Sequence, residues 1–515
     1  MQTTKEEKQG IQTKFILGGA LLAGLLFWMV IVNWTRGMFV DDALIGLRYV
    51  DNLVNGHGFV FNPGDRVEGV TNAGWIFLVW VFSPLGDLLN VARVVGLTAG
   101  FLAVIIILLT AAPIAPNPWR LAFLAPLPLL IVTQYDFAFF TATGMETGLA
   151  ALLLALMVSL AATNRSGYLI AILGAIGFTV RPELILIFPL SLILGAERSG
   201  SRLRPWLMLL VNLACIGVIT LARVMYFDDI LPNTFRAKGA TLEGIIERTV
   251  NYLSGHVINM PGLFSGVLAL ALIGFGIMQI RRQNRRLGAT LAAIICTGIL
   301  FCLYARNDWT LTARYFGPFS PIAAFALWWG LCTLLVHLGA EKMSVKTLTA
   351  LVAIFAIAFI GLGVINFRST LFQEKVKTYP GYVLTGTGLE LPSRWMGQNL
   401  PPNAIIATRR IGAVAYFSKL HIWDYAFGLT EPEVAKIVKQ HKSEAFSDPA
   451  DPMLKDVWQR VRPDYLLEDY QHRRIDVLTA TTSHSEVTIH GFKYVLMASF
   501  PLNRSTDWAL WKRID

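Results

Sequence analysis

Residues 15–34 read FILGGALLAGLLFWMVIVNW, and the stretch that follows, residues 35–50, reads TRGMFVDDALIGLRYV. The first is an apolar run of the length that a bilayer core of about 30 Å asks of a helix. The second turns polar at once and sets two carboxylates, Asp41 and Asp42, just beyond the span. Apolar runs of this kind recur as far as Phe367. Of all 515 residues, 54% are hydrophobic and only 15% are charged, too few to cover the surface of a soluble chain of this size, so a soluble enzyme is excluded. After Asn366 the chain becomes charged, proline-bearing and broken into short alternating segments. The sequence therefore predicts an α-helical polytopic membrane module over residues 1–366, with a first outer loop at 36–86, and a small soluble α/β domain over 367–515.

With the Lys5, Lys8 and Lys14 end taken as cytoplasmic, spans are expected near residues 15–35, 88–112, 119–134, 146–163, 168–180, 184–196, 205–227, 261–280, 287–305, 313–338 and 347–366, about eleven in all. The first reads as a retained signal anchor, because no small-residue cleavage site follows it. The fifth and sixth are short and meet at Arg181-Pro182-Glu183, the pattern of a broken or re-entrant pair whose polar tip is buried in protein. Arg165, the Arg198/Arg202/Arg204 group, Arg281, Arg282, Arg285 and Arg286, and Lys342/Lys346 then all face the cytoplasm, as the positive-inside rule requires. An odd span count puts the tail on the periplasmic or outer side. The same clusters account for the net charge of +10, which is thus no sign of nucleic acid. All four cysteines fall inside apolar spans without CxxC or Cys/His spacing, so nothing points to disulfides or zinc.

Three long polar segments lie outside under this topology: residues 36–86, 227–260 and the tail. Chemistry is expected there, since the cytoplasmic loops are short. In the first, Ala43/Leu44, Leu47, Val50 and Leu53/Val54 recur at helical spacing and describe an amphipathic helix at the membrane surface. Phe59-Val60-Phe61 and Arg66-Val67-Glu68 flank Asn62-Pro63-Gly64-Asp65, which suits a tight turn between two extended pieces. In the tail, residues 404–407, 465–467, 494–497 and 509–511 read as strands, and 393–399 and 432–440 as helices. Residues 412–417 lack the GxGxxG spacing of a dinucleotide loop.

Several polar residues are candidates for chemistry, each with a plainer alternative. Asp41 and Asp42 could serve as general base or hold a divalent metal, Mg or Mn; they could equally cap a helix, an interaction worth about 1 kcal/mol. Arg181 could meet a phosphate or pair with Glu183, and Glu146 could reach a cavity or simply sit in the acidic first turn of a helix. Leu231-Pro232-Asn233-Thr234-Phe235-Arg236-Ala237-Lys238 could grip a lipid phosphate, or its cations could snorkel. Arg306, Asp308, Trp309, Arg314 and Tyr315 form a further outer group, whereas His421 and Asp424 read as ordinary hydrogen-bonded residues.

These residues also carry a resemblance. Asp41-Asp42-Ala43 through Arg48-Tyr49, then Gly56-His57-Gly58 through Glu68-Gly69 and Thr71-Asn72, resemble the first outer loop of GT-C glycosyltransferases, in particular the mycobacterial terminal arabinofuranosyltransferases and the pilin arabinosyltransferases. Thr143-Gly144-Met145-Glu146, Arg181-Pro182-Glu183, Leu231-Pro232-Asn233-Thr234, Asp308-Trp309 with Arg314-Tyr315, and Ile411-Gly412-Ala413 with Tyr416-Phe417-Ser418 follow in the same order. The resemblance implies transfer of a sugar from a polyprenyl-phosphate donor to a glycan or protein acceptor at the outer face of the inner membrane. It makes Asp41 or Asp42 the catalytic carboxylate and Arg181, Arg236, Lys238, Arg306 and Arg314 the donor-phosphate cations. It places Arg48, His57, Glu68, Thr71, Asn72, Glu146, Glu183, Asn233, Asp308, Trp309 and Tyr315 around the substrate. Arg306-Asn307 stands where relatives tend to have glycine, and the tail is shorter than theirs, which puts a cell-wall arabinan acceptor in doubt. The rival readings are a mannosyl-, glucosyl- or aminoarabinosyltransferase and a lipid-glycan transporter. A transporter should show two comparable halves, and only one broken pair is visible.

Overall fold

The computed structural model describes residues 2–116, 119–163, 167–195, 203–237, 263–305, 314–339, 344–376, 382–384, 388–440, 446, 448–471, 486–503 and 506–515. Lys238, Arg306, Asp308 and Trp309 lie outside these residues, and of Arg236 only the backbone is described. The chain divides into two compact units.

The first unit holds Met1–Arg36, Arg93–Ile219 and Ala240–Gln373 and is helical. Among the described residues six helices of the chain are long and apolar enough to cross a membrane: Lys14–Trp34, Leu88–Ile114, Leu203–Phe227, Arg285–Tyr304, Ser320–Gly339 and Thr349–Leu371. Arg120–Val132 and Tyr135–Ala142, bent by 53°, make a seventh if counted as one broken span. The eleven expected spans are not reached by length. Gly167–Val180, for example, has 14 residues, and at 1.5 Å per residue it rises only about 21 Å, short of a hydrocarbon core. The break at Arg181-Pro182-Glu183 is present. Arg181 is extended, with φ −148° and ψ 126°, as a residue before proline prefers, and a 3-10 turn over Pro182–Leu186 leads into the helix Ile187–Gly195. The last span runs on to Val376, ten residues past the expected end, so the composition change at Asn366 falls inside a helix. Helices Leu263–Gln283 and Ser320–Gly339 touch backbone to backbone at Gly276 and Gly330, where a side chain would collide with Ala326 and Leu272 carbonyl oxygens.

The second unit holds Gly37–Ala92, Thr220–Gly239 and Glu374–Asp515. The first outer loop therefore groups with the tail, whereas the sequence reading assigned it to the membrane module. Strand β1 (Met38–Val40) pairs antiparallel with β2 (Tyr382–Leu384). The remaining strands are β3 (Ile405–Thr408), β4 (His421–Trp423), β5 (Tyr465–Gln471), β6 (Glu486–Ile489), β7 (Phe492–Asn503) and β8 (Thr506–Arg513). They form one sheet in the order β4-β3-β5-β8-β7-β6, with β4, β3 and β5 parallel and the rest antiparallel. Between β3 and β4 runs the helix Ile411–Ser418, which makes a βαβ crossover. The core gathers aromatic rings: Trp458 stands edge-on to Trp423 at 5.0 Å and donates to the Tyr494 hydroxyl, which donates to the Pro463 carbonyl. Four expected strands and both expected helices of the tail are present; β2, β4, β6 and the helices Ile411–Ser418 and Lys455–Val461 are additions, each too short for its pattern to be distinctive.

Candidate functional site

In the second unit, the helix Asp41–Val54 begins immediately after β1. Its apolar residues are buried against the Ile411–Ser418 helix, so its apolar face is covered by protein. Asp41 is 6% exposed. One carboxylate oxygen accepts from the Ala413 amide at 2.7 Å and the other from the Gly412 amide at 3.2 Å, two donors that a helix start leaves without intrahelical partners. A side chain at Gly412 would run into the Asp41 carbonyl, which is why this position is a glycine. Burial pushes the Asp41 carboxyl up to about 6, against the pull of Ala413, Arg410 and Gly412. Asp42, next in the chain, is partly exposed.

The rest of the loop is fixed by polar side chains acting as struts. Arg48, 2% exposed, donates to the Phe61 and Lys419 carbonyls and pairs with Asp51 at 3.4 Å. Asn52 donates to the Val60 and Phe61 carbonyls. The Asn62 amide donates to the Ile422 carbonyl and accepts from the Ile422 N–H, so it pairs with β4 as a neighbouring strand would. The expected turn is closed by the Asp65 amide on the Asn62 carbonyl, but no strand flanks it. Glu68 is buried against Arg223 at 2.6 Å, and the Asn233 amide donates to the Gly428 and Leu429 carbonyls. His57 is exposed, and Thr71 and Asn72 are partly buried. Of the sequence-nominated residues, then, Arg48, Glu68 and Asn233 are bound into the fabric of the unit. Asp424, with its carboxyl pushed up to about 6 by burial, accepts from the Ala426, Phe427 and Leu429 amides, the hydrogen-bonded role expected of it.

A second polar group lies in the first unit. Arg181 is buried with its Nε 3.2 Å from Glu146 and 3.4 Å from Glu183, both carboxylates being buried too. The Arg181 guanidinium also donates to the Tyr315 carbonyl at 3.5 Å. Arg314 stacks on the Tyr315 ring at 5.2 Å and is 4% exposed. The sequence reading named these five residues as separate candidates and left open whether Arg181 serves a ligand or an ion pair; the structure puts Arg181 against Glu146, Glu183 and the Tyr315 carbonyl.

Comparison with known proteins bears on this arrangement. The chain is 30% identical over 312 residues to the terminal β-(1→2)-arabinofuranosyltransferase of Mycobacterium tuberculosis, which covers 53% of this chain and 49% of the relative. The chain thus matches about half the length of that curated relative. Among solved structures, ArnT from Cupriavidus metallidurans superposes over 96% of this chain and 98% of its own with a TM-score of 0.55 at 10% identity. The archaeal oligosaccharyltransferase AglB from Archaeoglobus fulgidus covers 87% and 69% at a TM-score of 0.54 and 11% identity. The chain has the GT-C fold. Residues 384–511 match a family described as Domain of unknown function (DUF8728).

A divalent metal on this GT-C chain was among the expectations, with Asp41 or Asp42 as ligand. Both Asp41 oxygens are engaged by amides, and among the described residues no three His, Cys, Asp or Glu side chains gather as a metal set. Among the described residues the donor set does not make a metal centre. Sequence reasoning passed over Arg410, which precedes the Ile411–Ser418 helix and lies near enough to lower the Asp41 pKa. Its position beside a matched motif was the available signal.

Proposed function

We propose that this chain is a membrane glycosyltransferase that moves a sugar, with arabinofuranose as the first candidate, from a polyprenyl-phosphate donor to a glycan or protein acceptor. The observation that carries the reading is the pairing of a sequence likeness to an arabinofuranosyltransferase with a folded first loop that presents Asp41 and Asp42. The two carboxylates divide the work. Asp41 is enclosed and held by the Gly412 and Ala413 amides, so in this reading it fixes the helix start, and the partly exposed Asp42 takes the proton of the acceptor hydroxyl. Incubation of the purified protein with a panel of polyprenyl-phosphate sugars tests this. Release of polyprenyl phosphate with the arabinofuranosyl donor is the expected result, and no release with any donor would leave a non-catalytic lipid-glycan transporter as the better reading.

The tail is proposed to face the periplasm or outer surface, as the basic clusters require. A cysteine placed at exposed Asp456, in a chain whose four native cysteines are replaced by serine, should react with a membrane-impermeant thiol reagent in intact spheroplasts. Reaction only after lysis would reverse the topology.

A further inference from the structure

The Ile411–Ser418 helix starts at the end of β3, where the strand order turns: β4 lies on one side of β3 and β5 on the other. In open α/β sheets, ligands collect outside the carboxyl ends of the strands at such a point. Here the first amides of the helix are already occupied by Asp41, so they have nothing to offer a further anion. The cations around them are mostly matched as well. Arg409 pairs with Glu468 at 2.9 Å, Glu468 also accepts from the Tyr425 hydroxyl, Lys419 pairs with Asp51 at 2.8 Å, and Arg223 pairs with Glu68.

Arg410 differs. Its Nε is shielded from solvent and has no hydrogen-bond partner, and among the described residues its side chain enters no ion pair. Asp41 is close enough to feel its charge, but no hydrogen bond joins the two side chains, and the Asp41 oxygens accept from the Gly412 and Ala413 amides. A guanidinium N–H removed from water and left unmatched is costly, and an anion that accepts from it recovers that cost. Arginine also suits a phosphate in shape, since its fork donates two parallel hydrogen bonds.

We propose that Arg410 binds the phosphate of the lipid-linked donor beside Asp42 and holds it as it leaves. This rests on the glycosyltransferase reading above. In the step so described, the acceptor oxygen forms a bond to C1 of the sugar and the C1–O bond to phosphate breaks. The phosphate departs with the electron pair, and the acceptor proton passes to Asp42. Arg410 faces the growing negative charge on the leaving oxygen, where a fixed cation acts most strongly.

The test uses the full chain in detergent and polyprenyl phosphate alone as the probe, followed by donor kinetics. Arg410→Gln is expected to weaken binding of the lipid phosphate about tenfold or more and to lower donor kcat/KM by about 30–100-fold, with its unfolding temperature unchanged. Arg410→Lys should recover part of the loss, and Lys436→Gln, on an exposed face of the Pro432–Gln440 helix, should change neither quantity. Equal lipid-phosphate binding by Arg410→Gln and the wild type would overturn the assignment and leave Arg410 as a counter-charge to Asp41, visible then as lost stability. Should Arg410→Gln fail to fold, Arg410→Lys decides, since an unchanged donor KM in that variant also counts against the proposal. A wild type that binds no polyprenyl phosphate defeats the glycosyltransferase reading itself.

Discussion

Asp42→Asn is expected to lower sugar transfer by about 100-fold or more while the protein folds and binds donor as before. An amide has nearly the size of the carboxylate but cannot accept the acceptor's proton, and Asp42 is partly exposed, so little packing is lost. Asp41→Asn should behave otherwise. Its side-chain oxygen still accepts one of the two amides of the Ile411–Ser418 helix, so turnover falls by less than in the Asp42 variant, and the larger change appears in stability. Asp41→Ala removes both acceptors and leaves two buried amides without partners, at about 1–3 kcal/mol each. Initial rates and unfolding curves for all three variants decide the assignment. Near-normal transfer by Asp42→Asn, with transfer lost in Asp41→Asn at unchanged stability, would exchange the two roles.

The pH dependence separates the carboxylates further. Burial raises Asp41 to about 6 from its ordinary 3.8, so the folded chain holds this proton more tightly than the unfolded chain does. The resulting stabilisation is fully present below pH 3.8 and is lost as pH rises through about 6; it amounts to about 3 kcal/mol between the limits. Wild-type stability, corrected by the Asp41→Asn curve, should therefore decline from pH 4 to pH 7. A rise over that interval would mean that the amides and Arg410 outweigh burial.

What could be read from the sequence follows from the range of each signal. Spans declare themselves because twenty apolar residues in a row have few other uses, and the break at Arg181-Pro182-Glu183 is written in a proline and two charges within a few residues. The helix Asp41–Val54 was legible in its apolar periodicity, but periodicity does not say what covers the apolar face. Here it is the Ile411–Ser418 helix, some 370 residues away in the chain. The same distance hid the role of Asp41. A carboxylate at a helix start reads as a cap of its own helix, and nothing local discloses that it caps another one. Glu68 with Arg223, 155 residues apart, and Asn62 with Ile422, 360 apart, are also matched at long range and were invisible for the same reason.

Arg181→Ala is expected to damage the first unit more than it damages donor recognition. The guanidinium lies between Glu146 and Glu183, all three side chains at most 7% exposed, so its removal leaves two carboxylates buried with their shared countercharge gone. Breaking a buried pair from one side typically costs about 3–5 kcal/mol, because the remaining charge has no solvent to turn to. The protein should therefore lose heat stability in detergent, and what survives should keep a donor KM close to that of the wild type. Neutralising the partners at the same time, as Arg181→Met with Glu146→Gln and Glu183→Gln, should restore much of the loss, since no buried charge then stands alone. Arg314→Ala gives the contrast: Arg314 stacks on the Tyr315 ring, and its loss should appear in donor kinetics before it appears in stability. A stable Arg181→Ala protein whose donor KM rises more than tenfold would return Arg181 to the phosphate-binding group and make Glu146 and Glu183 its positioning partners.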